Sequence, residues 1–153
     1  MDRYDISILK RLQENARLST AEIGRSIGLS TTATKERIKK LEDEGVIQAY
    51  HAKLDAKSVG FSLVAFITVP VGDIGIKEMG ERLLATEEVL ECHKVTGNTC
   101  FLVKVKVRDA DHLEHLVDSI NQYARNTYTY LVLSTLKEEG LLPLTTDDDD
   151  QND

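Results

Sequence analysis

The sequence predicts an α+β fold in two parts, a helical N-terminal third followed by alternating strands and helices. Apolar residues recur at helical spacing through residues 5–41. From residue 61, strand-like and helix-like patterns alternate in the order βαββαβ, the split-βαβ or ferredoxin-like unit. The predicted divisions are a helical domain at 1–46, an extended hinge at 47–60, the βαββαβ domain at 61–140 and an acidic, disordered tail at 141–153.

Size and composition are those of a globular protein. With 153 residues, 41% of them hydrophobic and 29% charged, the chain can form one average domain or two small ones. No apolar run approaches the ~20 residues that cross a bilayer, and the first residues lack a signal-peptide core. The two cysteines do not make a disulfide framework. We therefore expect no membrane association and a cytoplasmic location.

The net charge of −7 is unevenly distributed along the chain. Residues 1–54 carry ten Lys/Arg against eight Asp/Glu, whereas residues 55–153 carry nine against eighteen. A mildly basic N-terminal part on an acidic remainder is typical of proteins that bind nucleic acid. Random scatter of surface charges gives similar differences, so charge alone does not decide the function.

The first two predicted helices have clear boundaries. The first runs from Asp5 to Gln13, with apolar residues on one face. Ser19 and Glu22 have the spacing of a capping box at the start of the second helix. Gly28 ends that helix, because glycine is free to take a positive φ.

The third predicted helix begins after Ser30, a favourable N-cap residue, and ends at Gly45. Helical spacing places Thr34, Ile38 and Leu41 on the stripe that faces the first two helices. Gly24, in the second helix, has no side chain and lets the third helix cross closely.

Two short helices joined by a tight turn, the second with a polar, basic outer face, are typical of a helix-turn-helix that recognises duplex DNA. In the major groove such side chains meet base edges, while flanking cations contact phosphates. The alternative is a solvated helix whose charges serve solubility. The candidates for base edges are Thr31, Thr32, Lys35, Glu36 and Lys39, and those for phosphates are Arg25, Arg37 and Lys40.

The remaining elements complete the βαββαβ order. Strands are predicted at 61–71, 89–96, 101–108 and 128–137, with helices starting near Ile76 and after Asp109. Two helices cover only one face of such a sheet, yet residues 61–69 have apolar side chains on both faces of the predicted strand. Because exposed apolar patches usually mark an interface, we predict dimerisation through the uncovered sheet face.

The residues offer little for catalysis or metal binding. We expect Cys92 and Cys100 to lie opposite each other across a hairpin, with His93 on the other face because strand neighbours alternate. A metal or redox site is therefore not expected. The four histidines are scattered, and no nucleophile–base pair or glycine-rich phosphate loop is present.

In combination, these motifs resemble the Lrp/AsnC family of feast/famine transcription regulators. The resemblance runs from about Tyr4 to Glu139 and is carried by residues 12–19, 28–30, 37–42 and 45–47, followed by the βαββαβ unit. It implies a winged-helix-like DNA-binding domain on a C-terminal domain that forms dimers, often octamers. It also implies a response to small metabolites, commonly amino acids, and no other cofactor.

In this family the effector lies near the turn between the second and third strands. The usual Gly-Asp-x-Asp is Gly97-Asn98-Thr99-Cys100 here, so both carboxylates are replaced. The family's Thr-x-Thr is matched by Thr127 and Thr129. Turn N–H groups can hold a carboxylate and threonine hydroxyls can bind a polar ligand, although a plain hairpin turn is the alternative. The candidate effector residues are Gly97, Asn98, Thr99, Cys100, Thr127 and Thr129.

A second function remains open on the same architecture. Haem-precursor decarboxylases resemble this family in both halves, so the fold alone does not exclude an enzyme. Such an enzyme is expected to lose the basic helix face and to gather histidines in its cleft. Retention of that face favours a regulator that recognises double-stranded DNA.

Overall fold

The computed structural model describes residues 1–72, 74–138 and 140–145. It divides into two compact units. We call residues 1–53 together with the chain from residue 137 onward the head, and residues 54–136 the body. The part of the predicted tail at 146–153 lies outside the described residues, while residues 140–145, here called the return segment, belong to the head.

The head contains three helices whose starts are capped by side chains. At the first helix, Asp2 accepts hydrogen bonds from the backbone N–H groups of Tyr4 and Asp5, at 2.8 and 3.0 Å. Ser19 and Glu22 form the predicted capping box, and Ser30 caps the third helix as predicted. The helices are α1 (Arg3–Glu14), α2 (Thr20–Ile27) and α3 (Thr31–Asp43).

The helices of the head close around a small apolar core. Ile8, Leu9, Ile23 and Leu41 form its buried cluster. Thr34 is fully buried, as the spacing in α3 predicts. These side chains hold α3 against α1 and α2 with its opposite face toward solvent.

Close approach of α2 and α3 depends on Gly24. A Cβ atom at this position would lie 2.7 Å from Thr34 Oγ1 and 2.8 Å from the backbone oxygen of Leu29. Both distances are shorter than real Cβ contacts, so a larger residue would push α3 away. The close crossing expected from the sequence is confirmed.

The body has two helices and a four-stranded antiparallel sheet, whose strands lie side by side in the order Val89–Lys94, Phe101–Val107, Leu63–Val69 and Tyr128–Leu131. This confirms the predicted βαββαβ unit and, with the helical head, the α+β class. A short 3-10 turn, Lys57–Val59, precedes the sheet. The elements are β1 (Leu63–Val69), α4 (Ile76–Leu84), β2 (Val89–Lys94), β3 (Phe101–Val107), α5 (Ala110–Asn121) and β4 (Tyr128–Leu131).

The last strand is shorter than predicted. We expected it to continue to Lys137, but β4 ends at Leu131, which pairs with Ala65. One further hydrogen bond joins the N–H of Val132 to the oxygen of Val64 at 2.9 Å. Because β1 begins at Leu63, no paired strand remains beyond that point to hold a continuation of β4.

Both helices of the body cover the same face of the sheet. On that face, Ala65, Ile67 and Val69 of β1 are fully buried and share one cluster with side chains of β3, α4 and α5, including Met79 and Leu116. The alternate residues of the strands point away from the two helices and form the opposite face, here called the open face. It carries Val64, Phe66, Thr68, Leu102, Lys104, Lys106, Tyr128 and Tyr130.

The expected pairing of the two cysteines is wrong. Cys92 pairs with Val103, and the backbone oxygen of Cys100 accepts a hydrogen bond from Val95 at 3.0 Å. The pairing of β2 with β3 is centred on Gly97 and Asn98, so Cys100 lies opposite Val95, beyond the end of β2. Among the described residues, no group of three or more His, Cys, Asp and Glu could hold a metal. No described helix is long and apolar enough to span a membrane.

Candidate nucleic-acid interface and effector region

The caps and the core of the head hold one side of α3 and leave its other side exposed. Ser30 ends the turn after α2 and accepts a hydrogen bond from the N–H of Ala33 at 3.2 Å, which fixes where α3 begins. The Thr34 hydroxyl donates back to the Ser30 oxygen at 2.9 Å. With Thr34 and Leu41 buried, the helix has only one orientation in the head. Five predicted base-edge residues, Thr31, Thr32, Lys35, Glu36 and Lys39, are exposed on it.

The lysines and arginines predicted to contact DNA differ in their exposure and in their ion-pair partners. Lys35 and Lys39 are exposed and make no ion pair with any residue in the described part of the chain. Lys40 lies 3.7 Å from Glu44 in an exposed pair one turn away. Arg25, on α2, is also exposed. We call the exposed surface formed by Lys35, Lys39 and their neighbours on α3 the basic face.

Arg37 has a role that the sequence analysis missed. Its Nη1 lies 2.8 Å from an Asp2 oxygen and 2.7 Å from an Asp5 oxygen, and its guanidinium stacks 5.4 Å from the Tyr4 ring centre. The Asp5 and Asp2 carboxylates raise the pKa of Arg37 above its ordinary value. This arginine joins α3 to the start of α1, so two carboxylates already hold the guanidinium that we expected to contact phosphate.

A side-chain hydrogen bond holds the end of α3. The Tyr50 hydroxyl donates to a Glu42 oxygen at 2.8 Å, joining the helix to the chain that follows it. Burial, then the nearby Glu42 carboxylate, raise the pKa of Tyr50 to about 12. Neither Glu42 nor Tyr50 belongs to a hydrophobic repeat in the sequence, because Glu42 lies on the exposed side of a helix and Tyr50 lies in irregular chain.

The candidate effector residues lie at one end of the sheet. Gly97 has a φ of 111°, which the turn between β2 and β3 requires. Val69 pairs with Phe101 while Thr68 pairs with Tyr128, so the Gly97 turn and Thr127 flank the same end of β1. The turn follows β2 and Thr127 precedes β4, so β3 and β1 lie between them in the sheet.

The structure divides these candidates by exposure. Gly97 and Asn98 are exposed, and Thr99 is half-buried with its hydroxyl 3.3 Å from the Phe101 oxygen. Cys100 is buried in the core cluster of the body, so its thiol faces away from solvent, contrary to our expectation of a ligand contact.

The two threonines of this region also differ. Thr127 donates to the Asn121 side-chain oxygen at 2.8 Å and lines a shallow cavity of about 360 Å³ with Asn121, Arg125 and Asn126. Thr129 is exposed on the edge strand. Thr127 is therefore held in place beside open space, whereas Thr129 contacts solvent.

Comparison with known proteins gives consistent matches along the chain. Residues 1–48 match a winged helix-turn-helix DNA-binding family, and residues 64–142 match the Lrp/AsnC ligand-binding domain. The transcriptional regulator LrpB of Bacillus subtilis is 33% identical, over 97% of this chain and 99% of that protein. The leucine-responsive regulatory protein of Haemophilus influenzae is 32% identical, over 94% and 90% respectively.

Solved structures show the same likeness. A transcriptional regulator from Neisseria meningitidis, solved as a complex with L-Met, superimposes with a TM-score of 0.87 at 32% identity, covering 94% of this chain and 96% of that one. These relatives are regulators of transcription, which decides against the enzyme alternative. The resemblance found in the sequence is confirmed: the chain belongs to the Lrp/AsnC family of transcriptional regulators.

Proposed function

We propose that this regulator recognises duplex DNA with the basic face of α3. The single observation that supports this most strongly is that α3 is fixed by buried Thr34 and Leu41 while Lys35 and Lys39 stay exposed. A helix presented in this way fits the major groove. Thr31 and Thr32 lie in the first turn of α3, and the first residues of a recognition helix are those that contact base edges, which supports their assignment.

Phosphate contacts come from the remaining cations of the same surface. Arg25 on α2 and Lys40 on α3 are exposed and flank the basic face. Arg37 is left out of this set because two carboxylates already hold its guanidinium. Its contribution to DNA binding is to position α3.

The double variant Lys35→Ala/Lys39→Ala tests this assignment. Lys35 and Lys39 would each bring a positive charge into the groove beside the phosphate backbones, and each phosphate charge neutralised adds roughly 0.9 to the steepness of log K against log salt. Binding of the variant to operator DNA should therefore weaken and depend less on salt. The matched control is Lys10→Ala/Arg17→Ala, which removes the same charge from exposed positions outside α3. Equal losses in the two variants, or an unchanged slope in the first, would refute the assignment.

We further propose that an amino acid binds beside the turn between β2 and β3. Gly97 offers backbone N–H groups for a carboxylate, and Thr127 offers a hydroxyl next to a cavity. The Neisseria relative complexed with L-Met and the leucine-responsive relative support this class of ligand. Asn98 in place of a family carboxylate favours a ligand whose ammonium group is held elsewhere.

A thermal-shift screen of the twenty amino acids tests the effector proposal. A ligand at a hundred times its Kd stabilises the folded state by about 2.7 kcal/mol, a shift that melting curves detect easily. Thr127→Val should abolish that shift, while Thr127→Ser, which keeps the hydroxyl, serves as the control. Absence of a shift with every amino acid would refute the proposal.

Finally, we propose that the body dimerises through the open face. Tyr128 and Tyr130 are 63% and 57% exposed there, beside half-buried Val64 and Phe66. A contiguous apolar and aromatic surface of this kind is unusual on a monomer. Assembly of dimers into an octamer, like the cytoplasmic location, stays a prediction of the sequence.

A further inference from the structure

The return segment belongs to the head although it comes from the far end of the chain. The side-chain amide of Gln13, on α1, forms two hydrogen bonds with the backbone of Leu142. Its Nε2 donates to the Leu142 oxygen at 3.3 Å, and its Oε1 accepts from the Leu142 N–H at 2.8 Å. Because a carboxamide carries both a donor and an acceptor, one side chain satisfies both backbone groups of a single residue. Gln13 therefore fixes the position of Leu142 on α1.

Apolar contacts accompany these hydrogen bonds. Leu144 is half-buried and packs against the core cluster of the head. Leu142 and Leu144 also line a cleft of about 580 Å³, whose other walls are α1 and residues 46–51, the chain that follows α3. Pro143, between the two leucines, has a fixed φ and favours extended backbone at Leu142. A segment restricted in this way loses less conformational entropy when it binds.

The contacts of α1 explain why the return segment matters for α3. A unit of about 50 residues leaves much of its surface exposed and is marginally stable, so each added apolar contact counts. The carboxylate of Asp5, on α1, lies 2.7 Å from Arg37 of α3. Leu9 of α1 and Leu41 of α3 share the core cluster against which Leu144 packs. A change in the packing of α1 therefore changes the packing of α3.

We propose that the return segment is a fourth element of the DNA-binding head, which fixes α1 and, through α1, the orientation of α3. The proposal rests on the assignment of α3 to DNA binding. The chain leaves the head after residue 53 and re-enters it at residue 137, so two stretches of chain connect the body to the head. The winged helix-turn-helix match ends at residue 48, and residue 142 falls within the match to the ligand-binding domain. DNA affinity therefore depends on chain that the family matches assign to the ligand-binding domain.

Hydrogen exchange of the full-length chain tests this role without DNA. The double variant Gln13→Ala/Leu144→Ala removes both contacts, and the α1 amides should exchange about ten times faster, which corresponds to ~1.4 kcal/mol. Alanine favours helix, so the increase reports the lost return segment and not a weaker α1. The matched control Gln122→Ala/Leu141→Ala removes the same two side chains from exposed positions. Unchanged exchange of α1, or an equal increase in the control, would overturn the proposal.

DNA titrations test whether the return segment positions α3. The probe is a duplex of random sequence at low salt, which binds through its phosphates without a known operator. Both substitutions are uncharged, so a weaker affinity of the folded double variant reports a displaced α3. Its dissociation constant should rise about threefold, within the range that networks of packed side chains carry. An unchanged constant, or an equal rise in the control, would overturn the positioning role.

Two further variants keep these results distinguishable. Leu144→Ala alone should show a smaller rise in both measurements, and it replaces the double variant if the head of the latter unfolds. Lys35→Ala/Lys39→Ala tests the proposed function with the same duplex. If that variant binds as tightly as the wild type, α3 is not the DNA-binding surface and the DNA part of the proposal fails. Faster exchange of α1 would still assign the return segment to the head.

Discussion

The head and the body bury their apolar residues in different ways. In the head, three capped helices enclose Ile8, Ile23 and Leu41, and the surface that remains is largely polar. In the body, two helices cover one face of a sheet and leave Tyr128 and Tyr130 exposed on the other. A single sheet needs a second layer on each apolar face, whereas a small helical unit can enclose its own core.

This difference supports the partner surface proposed for each unit. The polar, basic face of α3 suits a charged, hydrated ligand such as DNA, which is bound through phosphates and base edges. The open face of the body suits a second apolar surface, and a copy of itself is the simplest one. A substitution that introduces a charge should therefore be tolerated on the surface of the head and should disrupt the open face of the body.

The largest expected effect comes from placing a charge on the open face. Tyr130→Asp changes a side chain that is 57% exposed in the protomer, so the fold of the body should survive. In a dimer the new carboxylate would be buried without a partner, at a cost of several kcal/mol. Size-exclusion chromatography with light scattering should then give a particle near the 17.1 kDa of one chain.

The control for this variant is Leu84→Asp. Leu84 is 73% exposed on α4, away from the open face, and the substitution changes charge in the same way. It should leave the dimer intact. A wild type that is monomeric at micromolar concentration, or a Tyr130→Asp protein that stays dimeric, would break the comparison between head and body.

Local signals predicted most of the fold. Ser19, Glu22, Ser30 and Gly28 act through their nearest neighbours along the chain, so their roles were readable from spacing alone. The alternating pattern of β3 predicted its buried side as well. The end of β4 was not predictable in the same way, since a strand ends where its partner β1 runs out.

The candidate site was predicted less completely, because part of it depends on distant residues. Arg37 has the charge and position of a phosphate contact, but Asp2 and Asp5, more than thirty positions earlier, hold its side chain. The sequence places Cys100 in a candidate ligand loop, but its side chain is buried in the core cluster of the body, next to the start of β3. In both cases a tertiary contact overrides a local pattern.

A medium effect is expected from Arg37→Ala in the head. Removing hydrogen bonds to two carboxylates, one of them largely buried Asp5, should cost about 2 kcal/mol after allowance for the exposed Asp2. Hydrogen exchange of the α1 amides should therefore be faster. Arg25→Ala is the control, because that arginine is exposed and its loss should cost under about 0.5 kcal/mol.

The same network gives the head an acid dependence. Hydrogen bonds from the Asp5 backbone and from Arg37 lower the pKa of Asp2 below its ordinary value. Stability from this group is therefore complete above that ordinary value, near 3.8, and is lost as pH falls through the lower folded value. In the Arg37→Ala variant the folded pKa of Asp2 should lie closer to its ordinary value, so acid denaturation should show a smaller loss from this group that ends at a higher pH.

The smallest effect concerns the one ion pair described on the open face between β2 and β3. Lys104, only 8% exposed, donates to Glu91 at 3.0 Å, and this bond lowers the pKa of Glu91. Its contribution is present above the ordinary pKa of 4.5 and disappears as pH falls through the folded value. Because Glu91 is 42% exposed, Glu91→Gln should cost about 1 kcal/mol in the protomer.

Dimerisation should increase that cost, and this makes the pair a probe of the interface. A partner over the open face would exclude water from Glu91 and Lys104 and strengthen their attraction. Urea denaturation should therefore show a larger loss for Glu91→Gln in the dimeric wild type than in the Tyr130→Asp background. The exposed pair of Glu81 and Lys77 serves as control, and Glu81→Gln should cost the same small amount in both backgrounds. Equal costs for Glu91→Gln in the two backgrounds would mean that the open face stays wet and that another surface joins the protomers.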